Sequence, residues 1–215
     1  MVQKITALKV QKRNTQRVNV YLDDAFAFGL SRLTAAWLEI GQELDDEKIR
    51  DLQAADENET AYQRALHFLS FRPRAIKEVE RNLSKHNVSE EVILEVVERL
   101  VRNSLVNDKA FAQDWVENRS EFRPRGRRAL RMELRQKGIQ DEIIDEVLDE
   151  IEEDELAYRA AVKADRKYRR LEWDEYRKKM IAFLSRRGFS YGTAAPITKK
   201  VWLELCNDDE TIGKH

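Results

Sequence analysis

One string of residues occurs twice in this chain, and that repetition constrains the fold more than any other feature. FRPRAIKEVERNLSKHNVSEEVILEVVERL, from Phe71 to Leu100, aligns without a gap with FRPRGRRALRMELRQKGIQDEIIDEVLDEI, from Phe122 to Ile151. Apolar positions coincide along both: Val79 with Leu130, Leu83 with Leu134, Ile93 with Ile144, Val96 with Val147. Each copy reads as a helix, a turn and a second helix. Gly138 supplies the left-handed residue that ends the first helix, and Asn87, the next-best residue for that conformation, stands in its place upstream. Pro124 suits a first helical turn, where its missing amide costs nothing. A shorter third copy, LSRRGFS at Leu184 to Ser190, repeats LRQKGIQ at Leu134 to Gln140. Three helical units of about fifty residues predict a repeat protein in which each unit buries its apolar face against its neighbours.

Composition narrows the function classes. Lys and Arg number 39 against 40 Asp and Glu, so any anion binding must come from local segregation of charge. That segregation is present: Arg119 to Lys137 is rich in arginine and Asp141 to Glu155 in carboxylates. A single cysteine, Cys206, rules out an internal disulfide and suits a reducing cytoplasm. No apolar run is long enough to span a bilayer, and the first residues lack a signal-peptide core. His67, His86 and His215 are too far apart for metal-ligand spacing, and no glycine-rich phosphate loop occurs. We expect no enzyme activity, no catalytic residues, no metal and no cofactor.

In chain order, residues 1–30 alternate apolar and polar as a β-hairpin or meander does, with strands at Lys4 to Val10, Arg17 to Leu22 and Ala25 to Leu30. Residues 31–58 read as two short helices, Ser31 to Leu38 and Asp45 to Ala54, N-capped by Ser31 and Asp45. An acidic linker, AADENE, follows them and ends near Glu59. Helical repeats then occupy 59–104, 105–153 and 154–207, and a polar tail at 208–215 frays. Pro196 should delay or kink the last helix. The predicted fold is mainly α, three tandem helix-turn-helix-like three-helix units in an elongated array behind a small antiparallel sheet.

With Leu130 and Leu134 centred on the buried stripe of a helix from Pro124 to Lys137, roughly 100° per residue sends Arg125, Arg127, Arg128, Arg131 and Arg135 to the outer side. Gly126 falls on the inner side, where close helix contact is possible. Two readings stand beside each other. The arginines could pair with the acidic face of Asp141, Asp145, Asp149 and Glu152, or their planar forks could bind phosphate or carboxylate on a partner. Because they outnumber partners within their own turns, we take Arg119, Arg123, Arg125, Arg127, Arg128, Arg131, Arg135 and Lys137 as the candidate partner- or DNA-binding set. Arg72 and Arg74 read as structural, Trp115, Trp173, Trp202, Phe111 and Phe183 as core, and Tyr191 as an exposed aromatic.

Asn107-Asp108-Lys109-Ala110-Phe111-Ala112, followed by Val116, Arg119, Gly126, Leu134 and Lys137-Gly138-Ile139, resembles the central signature of the RecX family. Arg187-Gly188-Phe189-Ser190 and the strands from Val18 to Gly29 extend the resemblance over almost the whole chain. It departs from the family at Ala75 and Val79, where serine and leucine are common. The resemblance implies a non-enzymatic regulator of the RecA recombinase. Such a protein lies on the RecA filament on single-stranded DNA and restrains its extension, ATP hydrolysis, strand exchange and co-protease activity. We further expect a monomer with weak direct nucleic-acid binding and no membrane partner, although no residue pattern fixes the oligomeric state. An alternative is a stand-alone nucleic-acid-binding protein using helix-turn-helix-like repeats, with steep salt dependence. A scaffold whose arginines meet another protein's carboxylates is a third.

Overall fold

The computed structural model describes the backbone of residues 1–212 and the side chains through Glu204. His215, the Cys206 side chain and the expectation of a frayed end lie outside the described residues. Two compact units are present, one of residues 1–74 with 78–106, the other of 107–212 with Ala75–Lys77.

The first unit opens with an antiparallel sheet of order β3-β2-β1-β4: β1 Val2–Val10, β2 Arg17–Leu22, β3 Ala25–Ser31 and β4 Glu43–Asp45. Asp23 and Asp24 both adopt positive φ, 49° and 69°, as a two-residue hairpin between right-twisted strands demands. Strict alternation in β2 buries Val18, Val20 and Leu22. The short β4 is an element that its three residues gave no periodicity to reveal. A four-residue helix α1, Arg32–Ala35, follows β3 and is N-capped by Ser31, as expected.

The acidic linker does not exist. Asp45 caps a helix α2 that runs unbroken from Asp46 to Leu69, through AADENE and into the first repeat. The stretch lacks an apolar anchor, but it has a polar one. Asp56 is buried, pairs with Arg17 at 2.9 Å and accepts the amide of Ser31. Arg17 also donates to the Gly29 carbonyl at 2.7 Å and to Thr60 at 3.3 Å. A carboxylate with a charged partner and a backbone donor can be buried where an unpaired one could not. The sheet is thereby fastened to the middle of α2. The first repeat is completed by α3 Ile76–Ser84 and α4 Glu90–Arg102, which bury Val79, Leu83, Ile93, Val96 and Leu100.

The second unit contains two three-helix repeats: α5 Asp108–Phe122, α6 Arg127–Lys137 and α7 Asp141–Asp149, then α8 Glu153–Tyr168, α9 Trp173–Arg186 and α10 Tyr191–Ile212. Leu130 and Leu134 are fully buried with Ile144, Val147 and Leu148, so the predicted stripe holds. Tyr176, Met180 and Leu184 do the same in the third repeat, with Trp173, Phe183 and Trp202 packed against them. Pro196 does not delay α10, which starts at Tyr191 with Ser190 accepting the Thr193 amide at 3.1 Å. The carbonyl it leaves without a helical donor is that of Gly192, in an exposed first turn that water can serve.

Candidate nucleic-acid and partner interface

Pro124 and Arg125 lie before α6 rather than in its first turn, because Gly126 is the N-cap. Gly126 does permit a close approach, but to a turn and not to a helix. Its amide donates to the Arg187 carbonyl at 3.0 Å, and a Cβ there would strike Gly188. Gly188, at φ +90°, is itself pressed against Ala129. The end of α9 and the start of α6 therefore meet backbone to backbone. This meeting positions the cations of the second repeat beside those of the third.

The arginine face divides on inspection. Arg127, Arg131 and Arg135 reach Asp149, Asp145 and Asp141 at 3.7, 2.5 and 2.6 Å. Each step of four residues along α6 is matched by a step of four back along α7, so two antiparallel helices form a three-rung ladder. Arg135 is bidentate, its second bond to Asp141 measuring 2.9 Å. That hydrogen bonding, aided by the charges of Arg135 and Arg131, holds Asp141 below its ordinary carboxylate pKa, and the same bond with the charges of Asp141 and Asp145 raises the pKa of Arg135. Arg127 is further committed to the Ile151 carbonyl at 2.8 Å, while its amide donates to Glu153. Arg119 and Arg125 both converge on Glu133, at 2.9 and 3.0 Å. Trp115 donates to the same carboxylate, and its ring carries Arg119 at 4.3 Å and Lys137 at 5.0 Å.

The arginines do outnumber carboxylates within their own turns, but that shortage does not leave them unpaired, because Asp141, Asp145 and Asp149 reach them from α7 and Glu133 serves both Arg119 and Arg125. Arg123 and Arg128 alone of the eight candidates show neither carboxylate nor ring partner among the described residues, and both are exposed. Arg72 and Arg74 are structural as read. Arg72 donates to the Pro73 carbonyl and pairs with Glu78, and Arg74 stacks on Phe68 at 4.0 Å. Tyr191 is 62% exposed, as anticipated.

A second group of cations escaped the sequence reading. Lys163 and Lys167 on α8, with Arg186 and Arg187 at the end of α9, surround a cleft of about 300 Å³ that begins at Phe122. Arg187 donates to the Pro124 carbonyl at 3.1 Å and lies 4.7 Å over the Phe183 ring. Burial, then the charges of Arg125 and Arg123, pull its pKa below the ordinary guanidinium value. No periodicity could reveal this cluster, because three helices bring its members together. Trp37, 88% exposed beyond α1, is another large residue that no pattern singled out.

Among the described residues no group of His, Cys, Asp or Glu could hold a metal ion, and no helix is long and apolar enough to cross a membrane. Four segments of the chain match family models in order. Residues 3–45 match the regulatory protein RecX N-terminal domain, and 61–100, 107–148 and 152–195 match the first, second and third RecX three-helix domains. The chain belongs to the RecX family. The regulatory protein RecX of Bacillus subtilis (strain 168) is 37% identical over 212 residues, covering 96% of this chain and 80% of that protein. Its counterpart in Leuconostoc mesenteroides is 33% identical over 214 residues, covering 97% and 79%. A crystal structure of regulatory protein RecX superposes with a TM-score of 0.74 at 30% identity, over 92% of this chain and 99% of that one. RecX from Lactobacillus salivarius gives 0.64 at 28% identity, over 69% and 99%. The RecX fold, a small sheet followed by three-helix units, is the architecture described above.

Proposed function

We propose that this chain is a negative modulator of RecA. On this reading it binds the RecA filament on single-stranded DNA and limits filament extension, ATP hydrolysis, strand exchange and co-protease activity, and so regulates recombination and DNA repair. The observation that carries the reading is the ordered match of all four RecX segments along the chain. The charge map supports it: a near-neutral protein with its arginines gathered locally avoids indiscriminate DNA binding and can still meet phosphate where they cluster.

Within the second repeat we place the partner contact on Arg123 and Arg128. Arg131 and Arg135, whose side chains keep 36% and 55% exposure, can exchange a rung carboxylate for one on the partner. Arg119, Arg125, Arg127 and Lys137 hold the shape of that surface. The reading is tested by adding the protein to RecA on single-stranded DNA and following ATP hydrolysis and filament length. A fall in both is expected; no change in either at stoichiometric excess ends the proposal. Duplex reading by α6 in the manner of a recognition helix has less support, because that helix commits Arg127, Arg131 and Arg135 to α7.

A further inference from the structure

We infer that the cleft between the end of α5, α8 and the end of α9 is a binding site for one strand of nucleic acid, with a base stacked on Phe122 and backbone phosphates met by Lys163, Lys167 and Arg186. The inference deepens the reading above by naming a DNA-contacting site within it, and it rests on four observations of the second unit.

First, the cleft has the right sign. No carboxylate lines it, whereas three other clefts contain Glu59, Asp56 with Glu57, and Glu153. The nearest buried carboxylate on α8, Asp165, is spent on Arg169 at 2.8 Å and the Tyr176 hydroxyl at 3.1 Å. Second, its cations are not neutralised from within. Among the described residues Lys163 donates to a backbone carbonyl, that of Glu121 at 3.2 Å, and Arg187 to that of Pro124. Arg186 is exposed and has no ion-pair partner among the described residues. A concave site with like charges around an apolar floor of Tyr168 and Phe183 is relieved by an anion.

Third, the aromatic at its mouth is free to stack. Phe122 is 65% exposed, and its ring contacts no other ring among the described residues. A phenyl face beside a cationic track is the combination that holds single strands without sequence preference, because every base offers a π-face and every nucleotide a phosphate. Fourth, the equivalent place in the first repeat lacks these properties. Phe71 has the His67 ring against it at 5.0 Å, and Arg72 is tied to Glu78. Phe71 is as exposed as Phe122, so the two copies of the FRPR string differ in partners: a ring and a carboxylate are already engaged in the first, and the second opens on an unneutralised cationic cleft.

The test is fluorescence anisotropy of a labelled oligothymidylate titrated with the full chain, without RecA, over a salt series. Wild-type protein should bind. Charge reversal by Lys167→Glu with Arg186→Glu should weaken binding at least tenfold, and the slope of log affinity against log salt should fall by about 0.7 for each phosphate no longer neutralised. Phe122→Ala should weaken binding about fivefold or more and leave the salt slope unchanged, since stacking releases no counterion. Lys12→Glu, a charge reversal at an exposed lysine in the loop after β1, should alter binding far less. The inference is overturned if wild-type protein does not bind, or if the cleft reversal does no more than the loop control. It is overturned equally if the reversal abolishes association with RecA but spares oligonucleotide binding, which would assign the cleft to an acidic protein surface. A cleft that binds oligonucleotide while RecA activity is unaffected would refute the modulator reading and keep this one.

Discussion

The second and third repeats carry comparable densities of arginine and lysine and use them in opposite ways. Along α6 the guanidinium groups of Arg127, Arg131 and Arg135 are matched rung by rung with carboxylates of α7. Around the cleft at α8 and α9, Lys163, Lys167, Arg186 and Arg187 face one another across apolar residues without a carboxylate in the lining. Positive charge in a sequence is therefore not positive charge available to a ligand. Availability is set by whether a neighbouring helix brings acids into register.

The largest effect should come from beneath the ladder. Leu134 is fully buried under it, and Leu134→Ala should cost about 2–5 kcal/mol in chemical denaturation through the cavity it leaves. A loss well under that range would mean that the ion pairs, and not the apolar layer, hold α6 on α7. Charge reversal separates the two regions next. Arg131→Glu sets a carboxylate against Asp145 and should destabilise by about 1 kcal/mol, whereas Arg186→Glu should stay within about 0.5 kcal/mol of wild type or gain stability. Equal losses in thermal or urea melts would erase the contrast. A double-mutant cycle of Arg131→Ala and Asp145→Ala should return a coupling of about 0.2–1 kcal/mol, as half-exposed pairs do. A coupling of zero would reduce that rung to a geometric coincidence.

The smallest effect is a titration. Arg135 depresses the Asp141 pKa below the ordinary value of 3.8, so the pair stabilises the fold above the ordinary carboxylate pKa and loses that contribution as pH falls through the lowered one. Carboxylate NMR should place the Asp141 midpoint below 3.8 in wild type and move it upward in Arg135→Ala. An unmoved midpoint would show that the rung is absent in solution.

Much of this was legible from the residues. Hydrophobic periodicity found the stripe of Leu130 and Leu134, and turn chemistry found Asn87 and Gly138, which adopt φ of 59° and 89°. The glycines also record a tertiary fact that the pattern alone does not state. A Cβ on Gly138 would strike Lys77 and one on Gly188 would strike Ala129, while Asn87 is exposed and can keep a side chain. The ladder left a trace, since arginines and aspartates each recur every four residues, but pairing them required knowing that α6 and α7 run antiparallel. The AADENE segment misled because its anchor, Arg17, comes from a strand far back in the chain.

By itself the sequence determined the repeat, its apolar stripes, the turns at Asn87 and Gly138 and the family, because those depend on residues a few positions apart or on a whole ordered pattern. Tertiary structure alone decided which charges are spent and which are left over. An ion pair or a cationic cleft is a matter of a few ångströms between side chains, and Glu133, Asp145 and Arg187 acquire their neighbours only when separate helices pack.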